Sequence, residues 1–259
     1  MSLLFSKQKL PMLVTSLSDN NPDDTICTMR NAILDGTDGF MLHLEKLLPE
    51  YMTEEHLQRI FNYSCDLPMF TLNYRSGHSK HKTDQQLVDE LLMSVRAGAN
   101  MIDMMGDMFD KSPLELTSNA EAIEKQRQVI AEVHELGGEV LMSSHTFVYM
   151  TSEELLAHTQ ELESRGADFI KIAMSVNSHE EMLDSIKTTS VVSKALKVPF
   201  LHICMGFHGK LHRAIGPLVG SCIALCVQKY TPAGHKEKVL LRAEKAVFDN
   251  IDYRINRNI

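Results

Sequence analysis

Eight short, apolar, β-prone runs recur along this chain, and polar stretches with helical periodicity separate most of them. The runs are Pro11–Ser16, Phe40–Leu47, Met69–Arg75, Met101–Gly106, Glu139–His145, Phe169–Ser175, Phe200–Gly206 and Val219–Val227. The clearest helical stretches are Thr53–Phe61, Thr83–Ala97, Ser118–Leu136, Ser152–Arg165 and Ser178–Leu196. A strand followed by a helix of this length can return only as a parallel neighbour, so the alternation predicts βαβ units and a parallel sheet. Eight such units within 259 residues favour a closed sheet over an open one. The expected fold is α/β, a (β/α)8 (TIM) barrel forming a single domain over residues 1–259. No Pro/Gly/Ser-rich linker and no low-complexity segment divides the sequence.

Helix ends support the pattern. Thr53-Glu54-Glu55 and Ser152-Glu153-Glu154 each place a capping hydroxyl ahead of first-turn acids, which suits the positive end of a helix dipole. Arg96-Ala97-Gly98 and Arg165-Gly166 read as helix C-caps feeding the next strand.

Charge and composition narrow the function classes. A formal net charge of -8 opposes nucleic-acid binding, which needs basic surface to neutralise phosphates. No apolar stretch approaches the roughly 18 residues of a membrane span. The opening MSLLFSKQKLPMLV has a short apolar run and no small-residue cleavage site, so no leader is expected. Five cysteines, Cys27, Cys65, Cys204, Cys222 and Cys226, are odd in number and contain no C-x-x-C pair. Free thiols and a cytoplasmic location are therefore expected.

A barrel of this kind carries its chemistry at the carboxyl ends of the strands. Several inferred strands contain a residue that a buried strand would not choose: Glu45, Arg75, Asp103 and His145. The sixth strand, Phe169-Ile170-Lys171-Ile172-Ala173-Met174, holds a lysine within an apolar run. Alternation puts Lys171 on the face shared by Phe169 and Ala173. An inward-facing lysine is desolvated and loses part of its preference for the charged form. A neutral amine is the species that attacks a ketone to form an imine. The competing reading is a structural lysine paired with Glu45 or Asp103. His145, ending the neighbouring strand, is placed to move protons.

Other signals are weaker. His78 with His81, and His208 with His212, could each seat a metal if helical. Neither pair has a carboxylate or cysteine at ligand spacing, so no metal is expected. The methionines at the fourth strand suit core filling. No Walker A loop and no G-x-G-x-x-G occurs, so no nucleotide cofactor is expected.

Around these residues the sequence resembles type I 3-dehydroquinate dehydratase, in order and over nearly the whole chain. Ser144-His145-Thr146-Phe147 and Gly166-Ala167-Asp168-Phe169-Ile170-Lys171-Ile172-Ala173 are similar to the segments carrying that family's catalytic histidine and imine-forming lysine. Met205-Gly206, Gly209 and His212-Arg213 resemble its M-G-x-x-G-x-x-S-R stretch, with a histidine at the serine. Gly220-Ser221 resembles the G-S that opens the last strand. Glu45, Arg75 and Asp103 stand at the acid of E-W-R, the arginine of T-F-R and the aspartate of D-I-E. The resemblance implies Lys171 and His145 as catalytic groups. It implies Glu45, Arg75, Arg213, Thr231 and His235 as substrate-binding groups, with no cofactor.

The departures are specific. Glu45 is followed by Lys46-Leu47, so the arginine of E-W-R is missing. Ser76-Gly77-His78-Ser79-Lys80 follows Arg75, without the family's glutamate that helps position the histidine. The glutamate of D-I-E is Met105. The closing loop, S-A-P-G-Q in the family, reads Thr231-Pro232-Ala233-Gly234-His235. A histidine there implies loop closure that weakens as pH rises through its titration.

Three functions follow from this pattern. The first is a hydro-lyase converting 3-dehydroquinate to 3-dehydroshikimate through an imine in the shikimate pathway, with Arg213 holding the carboxylate. The second is a class I aldolase-like barrel lyase using the same lysine on a different keto acid. The third is a catalytically weak paralogue that binds a metabolite. The expected partner is a small-molecule keto acid, with a homodimer implied by analogy.

Overall fold

The computed structural model describes residue 2, residues 4–231 and residues 237–251. Eight parallel strands form the barrel wall: β1 (Met12–Leu17), β2 (Gly39–His43), β3 (Met69–Leu72), β4 (Met101–Met105), β5 (Glu139–His145), β6 (Phe169–Ser175), β7 (Phe200–Met205) and β8 (Ile223–Val227). A two-residue β9 (Val239–Leu240) extends beside β8. The ladder runs β7-β6-β5-β4-β3-β2-β1-β8-β9. The seam between β7 and β8 is held without a ladder: Cys222 N–H donates to the Phe200 carbonyl at 2.7 Å, and His202 N–H to Ser221 Oγ at 3.2 Å.

The helices are α1 (Pro22–Asp35), α2 (Glu54–Phe61), α3 (Asp84–Arg96), α4 (Ala120–Glu135), α5 (Ser152–Glu163), α6 (His179–Ala195), α7 (Gly209–Val219) and α8 (Leu241–Asn250). α1, α7 and α8 are additions to the helices legible in sequence. Thr53 caps α2 as expected, through the His56 N–H. At α5 the cap is Thr151, which forms a capping box with Glu154, while Ser152 turns to Thr188. Such caps are worth about 1 kcal/mol each.

Two apolar clusters result from the period-two alternation. One lies inside the barrel, where Phe5 packs on Phe70 and Phe169 at ring-centroid distances of 6.1 and 4.8 Å and plugs the amino-terminal end. The other fills the layer between strands and helices, with Leu42, Ile102, Met104, Ile170 and Ile172 facing outward. The interior is thus solid at one end and open at the carboxyl end, where the loops converge.

Three inferred strands are shorter than their apolar runs by more than one residue. β2 stops at His43, and Glu45 sits in a 3-10 turn, Leu44–Lys46. β3 stops at Leu72, so Arg75 belongs to the following loop. The run at Val219–Val227 divides, because α7 extends through Val219 and β8 begins only at Ile223. In β2 and β3 the apolar pattern continues past the last ladder bond, since the first residues of a buried loop also need apolar side chains; in the third run it begins on the buried end of α7. The 76–79 turn comes so near Glu45 that a Cβ on Gly77 would meet the Glu45 carbonyl oxygen at 2.3 Å. At φ 53°, that position favours glycine.

Candidate active site

At the carboxyl end of the barrel lies a cavity of about 860 Å³. Lys171, from the interior of β6, reaches its floor, and Asp103, from the interior of β4, backs it from beneath. Lys171 Nζ stands 2.8 Å from Asp103 Oδ2, with both side chains at or below 3% exposure. The desolvation expected for this lysine is therefore offset by a counter-ion, and Asp103 is the partner that the structural reading had named. Tyr74 completes the floor: it accepts a hydrogen bond from Lys171 Nζ and donates to Asp103 Oδ2 at 2.6 Å. Burial, then the charge of Asp103, pushes the Tyr74 hydroxyl well above its usual range, so it stays a donor. Sequence reasoning passed over Tyr74, although it stands at the phenylalanine of the T-F-R motif and adds a hydroxyl there.

His145, the last residue of β5, lies edge-on to Tyr74 with ring centroids 4.7 Å apart. Its Nδ1 is 2.8 Å from Glu115 Oε2, and the same oxygen accepts the His145 backbone N–H at 2.9 Å. That pairing fixes Nδ1 as the protonated nitrogen and leaves Nε2 as the acceptor. The glutamate missing after Arg75 thus has a counterpart from another loop. Ser79, within that altered stretch, is buried and donates to Asn73, and His78 is exposed.

Glu115 is held by its loop rather than by a regular element. Leu114 and Glu115 both have left-handed backbone, with φ 61° and 48°. Ser144 Oγ donates to the Leu114 carbonyl. Arg165, expected only to end a helix, is 2% exposed and clamps both ends of the loop, donating to the carbonyls of Gly106 and Thr117 at 2.7 Å each.

The substrate-binding residues expected from sequence meet different fates. Glu45, 1% exposed, lines the cavity, with Oε1 3.0 Å from His43 Nδ1. Arg213 enters from α7, its Nε donating to the Cys204 carbonyl at 2.8 Å. Thr231 is exposed at the rim, and His235 lies outside the described residues. Arg75 lines the cavity but is committed to the protein: Nε and Nη2 donate to the two oxygens of Asp84, each at 2.8 Å, and Nη1 to Asp107 at 2.6 Å. These bonds tie the start of α3 to the loop after β4 at the cavity wall.

One group outside the cavity has ligand chemistry. His202, Cys204 and His212 bring their donor atoms within 4.8 Å of one another. Both imidazoles already bond to Thr189 Oγ1 at 2.9 Å, and burial pushes the Cys204 thiol up to about 12. The neutral, closed arrangement suits packing better than an ion. None of the five cysteines is in a disulfide, and no helix among the described residues is long and apolar enough to cross a membrane.

A parallel β/α barrel with a buried lysine at the carboxyl end and a carboxylate-held histidine beside it defines a class, the β/α barrels whose polar site lies at the mouth of the strands. The sequence model for Type I 3-dehydroquinase matches residues 42–233, well over half of the chain. The chain belongs to the type I 3-dehydroquinase family. It is 30% identical over 171 residues to the 3-dehydroquinate dehydratase of Alkaliphilus oremlandii, an alignment covering 65% of this chain and 63% of that relative. The fold matches the type I 3-dehydroquinate dehydratase of Clostridium difficile with a TM-score of 0.78 at 19% identity, covering 93% and 92% of the two chains. The enzyme of Geobacillus kaustophilus gives 0.77 at 18% identity, covering 92% and 90%.

Proposed function

We propose that this protein dehydrates 3-dehydroquinate to 3-dehydroshikimate through an imine on Lys171. The observation that carries the reading is the convergence of Lys171, Tyr74 and the His145–Glu115 pair on one cavity, with Asp103 bonded to both Lys171 and Tyr74. Asp103, 2.8 Å away, is the carboxylate bonded to Lys171 that can take the proton the ammonium must lose before attack. The amine adds to the ketone and water departs, leaving a protonated imine that draws electrons from the neighbouring carbon. His145 Nε2 removes the proton from that carbon, and the hydroxyl one carbon further leaves with a proton returned by His145. Hydrolysis of the product imine restores Lys171. Glu115 orients the ring and offsets the charge it acquires during transfer. Arg213 holds the carboxylate by charge-assisted hydrogen bonds. A small-molecule acid in the cytoplasm is the partner this chemistry requires, and neither metal nor cofactor is needed because the imine is the electron sink.

The second reading, a different keto acid on the same lysine, is favoured by one feature: Arg75 is tied to Asp84 and Asp107, so ring recognition differs from that implied by the family motif. The test is growth of enone absorbance when purified protein meets 3-dehydroquinate, with Lys171→Ala as control. Absorbance that grows only with the native protein supports the dehydratase. A native protein that turns over another keto acid instead replaces it with the second reading.

A further inference from the structure

The cavity wall beside β1 and β2 lacks the guanidinium that the E-W-R motif would supply. Leu47 holds that position in the sequence and is buried in the apolar layer outside the strands, and Arg75 is held by two aspartates. A different polar chain crosses this wall. Glu45 Oε1 is 3.0 Å from His43 Nδ1, His43 Nε2 is 3.0 Å from Ser16 Oγ, and Lys238 Nζ donates to Ser16 Oγ at 3.2 Å. Ser16 and His43 come from the ends of β1 and β2, Lys238 from the turn entering β9, and all four side chains line the cavity with Lys171 and Arg213.

The chain has one consistent direction. Burial holds His43 below its ordinary value against the pull of Glu45, so the ring is neutral with one N–H. That N–H goes to Glu45, so Nε2 accepts from the Ser16 hydroxyl, and the Ser16 oxygen accepts from Lys238. The bond to Ser16 uses one of three ammonium donors. Lys238 lies under the repulsion of Arg213 and Lys171 and the weaker attraction of Glu237 and Glu45; with burial as the largest influence, its ammonium is brought down to about 8. Of the basic residues lining the cavity, Arg213 and Lys171 are the ones whose charge acts on Lys238, and an anion bound between Lys238 and Arg213 relieves their repulsion.

We propose that Lys238 is a specificity-determining residue, forming with Arg213 a two-cation clamp for the carboxylate of a hydroxylated cyclic keto acid and supplying the positive charge that Leu47 removes. The proposal rests on the dehydratase reading for the identity of the acid, and its test separates the two. Calorimetry with quinate, which has the carboxylate and ring hydroxyls but no ketone, reads binding without imine formation. Lys238→Met should weaken quinate at pH 7 by roughly 10- to 100-fold, at the lower end of what loss of one partner in a charged contact costs. Lys238→Arg should retain affinity. Native affinity should fall between pH 7 and pH 9 as Lys238 loses its proton, and the Lys238→Arg profile should be flatter over that range. Melting curves identify any unfolded variant, and the Arg variant then decides alone through its pH profile. Equal quinate affinity in native protein and Lys238→Met, or identical pH profiles in native protein and Lys238→Arg, overturns the clamp. Lys238-dependent quinate binding without 3-dehydroquinate turnover supports the clamp and removes the dehydratase. A native protein that binds neither acid overturns both.

Discussion

Two histidine pairings in this protein differ in their setting, one facing the barrel cavity and one lying outside its wall. Inside, His145 is paired with Glu115 and stands beside the Lys171–Asp103 ion pair, facing a cavity. Outside, His202 and His212 share Thr189 Oγ1 between β7, α6 and α7, with burial holding His202 well below its usual value and His212 at about 3. In both clusters every imidazole makes at least one side-chain hydrogen bond. Only the first adds a counter-charge to each titratable group and an opening through which a substrate arrives. Burial by itself makes an imidazole inert; a carboxylate at one nitrogen and space at the other make it a proton carrier.

The largest break in this contrast is His145→Ala, which should slow turnover by about 10²–10⁴-fold while imine formation on Lys171 survives. A near-normal kcat would place His145 with the outer pair. Arg75→Met comes next. It strands Asp107, 1% exposed, and should destabilise the fold by about 3–5 kcal/mol in urea unfolding. A stable variant with a raised KM would return Arg75 to substrate binding.

Glu115→Gln should lower kcat by roughly 10- to 100-fold, less than loss of the acid–base group itself, with KM little changed. An unaltered kcat would leave the Glu115 pair as packing. The smallest effect belongs to the outer cluster. Its folded rings stay neutral, whereas in the unfolded chain each takes up a proton below about pH 6.5. The stability they contribute is therefore present above that pH and lost as pH falls below it, at about 1.4 kcal/mol per pH unit for each histidine. His202→Gln should flatten the acid side of the stability curve by that amount and leave turnover unchanged. A variant with native acid sensitivity would contradict the neutral assignment.

The contrast also separates what the sequence made legible from what it did not. Lys171 and His145 were readable because strand alternation fixes the facing of each residue, and β5 and β6 are long enough to carry that period to the site. Glu115 was not readable. It reaches His145 from 30 residues away through a turn with left-handed backbone, and no local pattern encodes that approach. The commitment of Arg75 was hidden likewise, since Asp84 and Asp107 come from two different loops and elements. The barrel itself was legible in its strands. α7 was obscured by a proline at 217 inside the helix, and its apolar end merged with the next strand. The wall built by Ser16, His43 and Lys238 joins opposite ends of the chain, which only the closure of the barrel brings together.

The account stands on Lys171 as the nucleophile, and borohydride reduction in the presence of 3-dehydroquinate, followed by peptide mass spectrometry, tests it most directly. The predicted result is added ligand mass on the peptide containing Lys171, absent in Lys171→Ala together with turnover. Labelling that persists in Lys171→Ala, or that falls on Lys238 in the native protein, would contradict it.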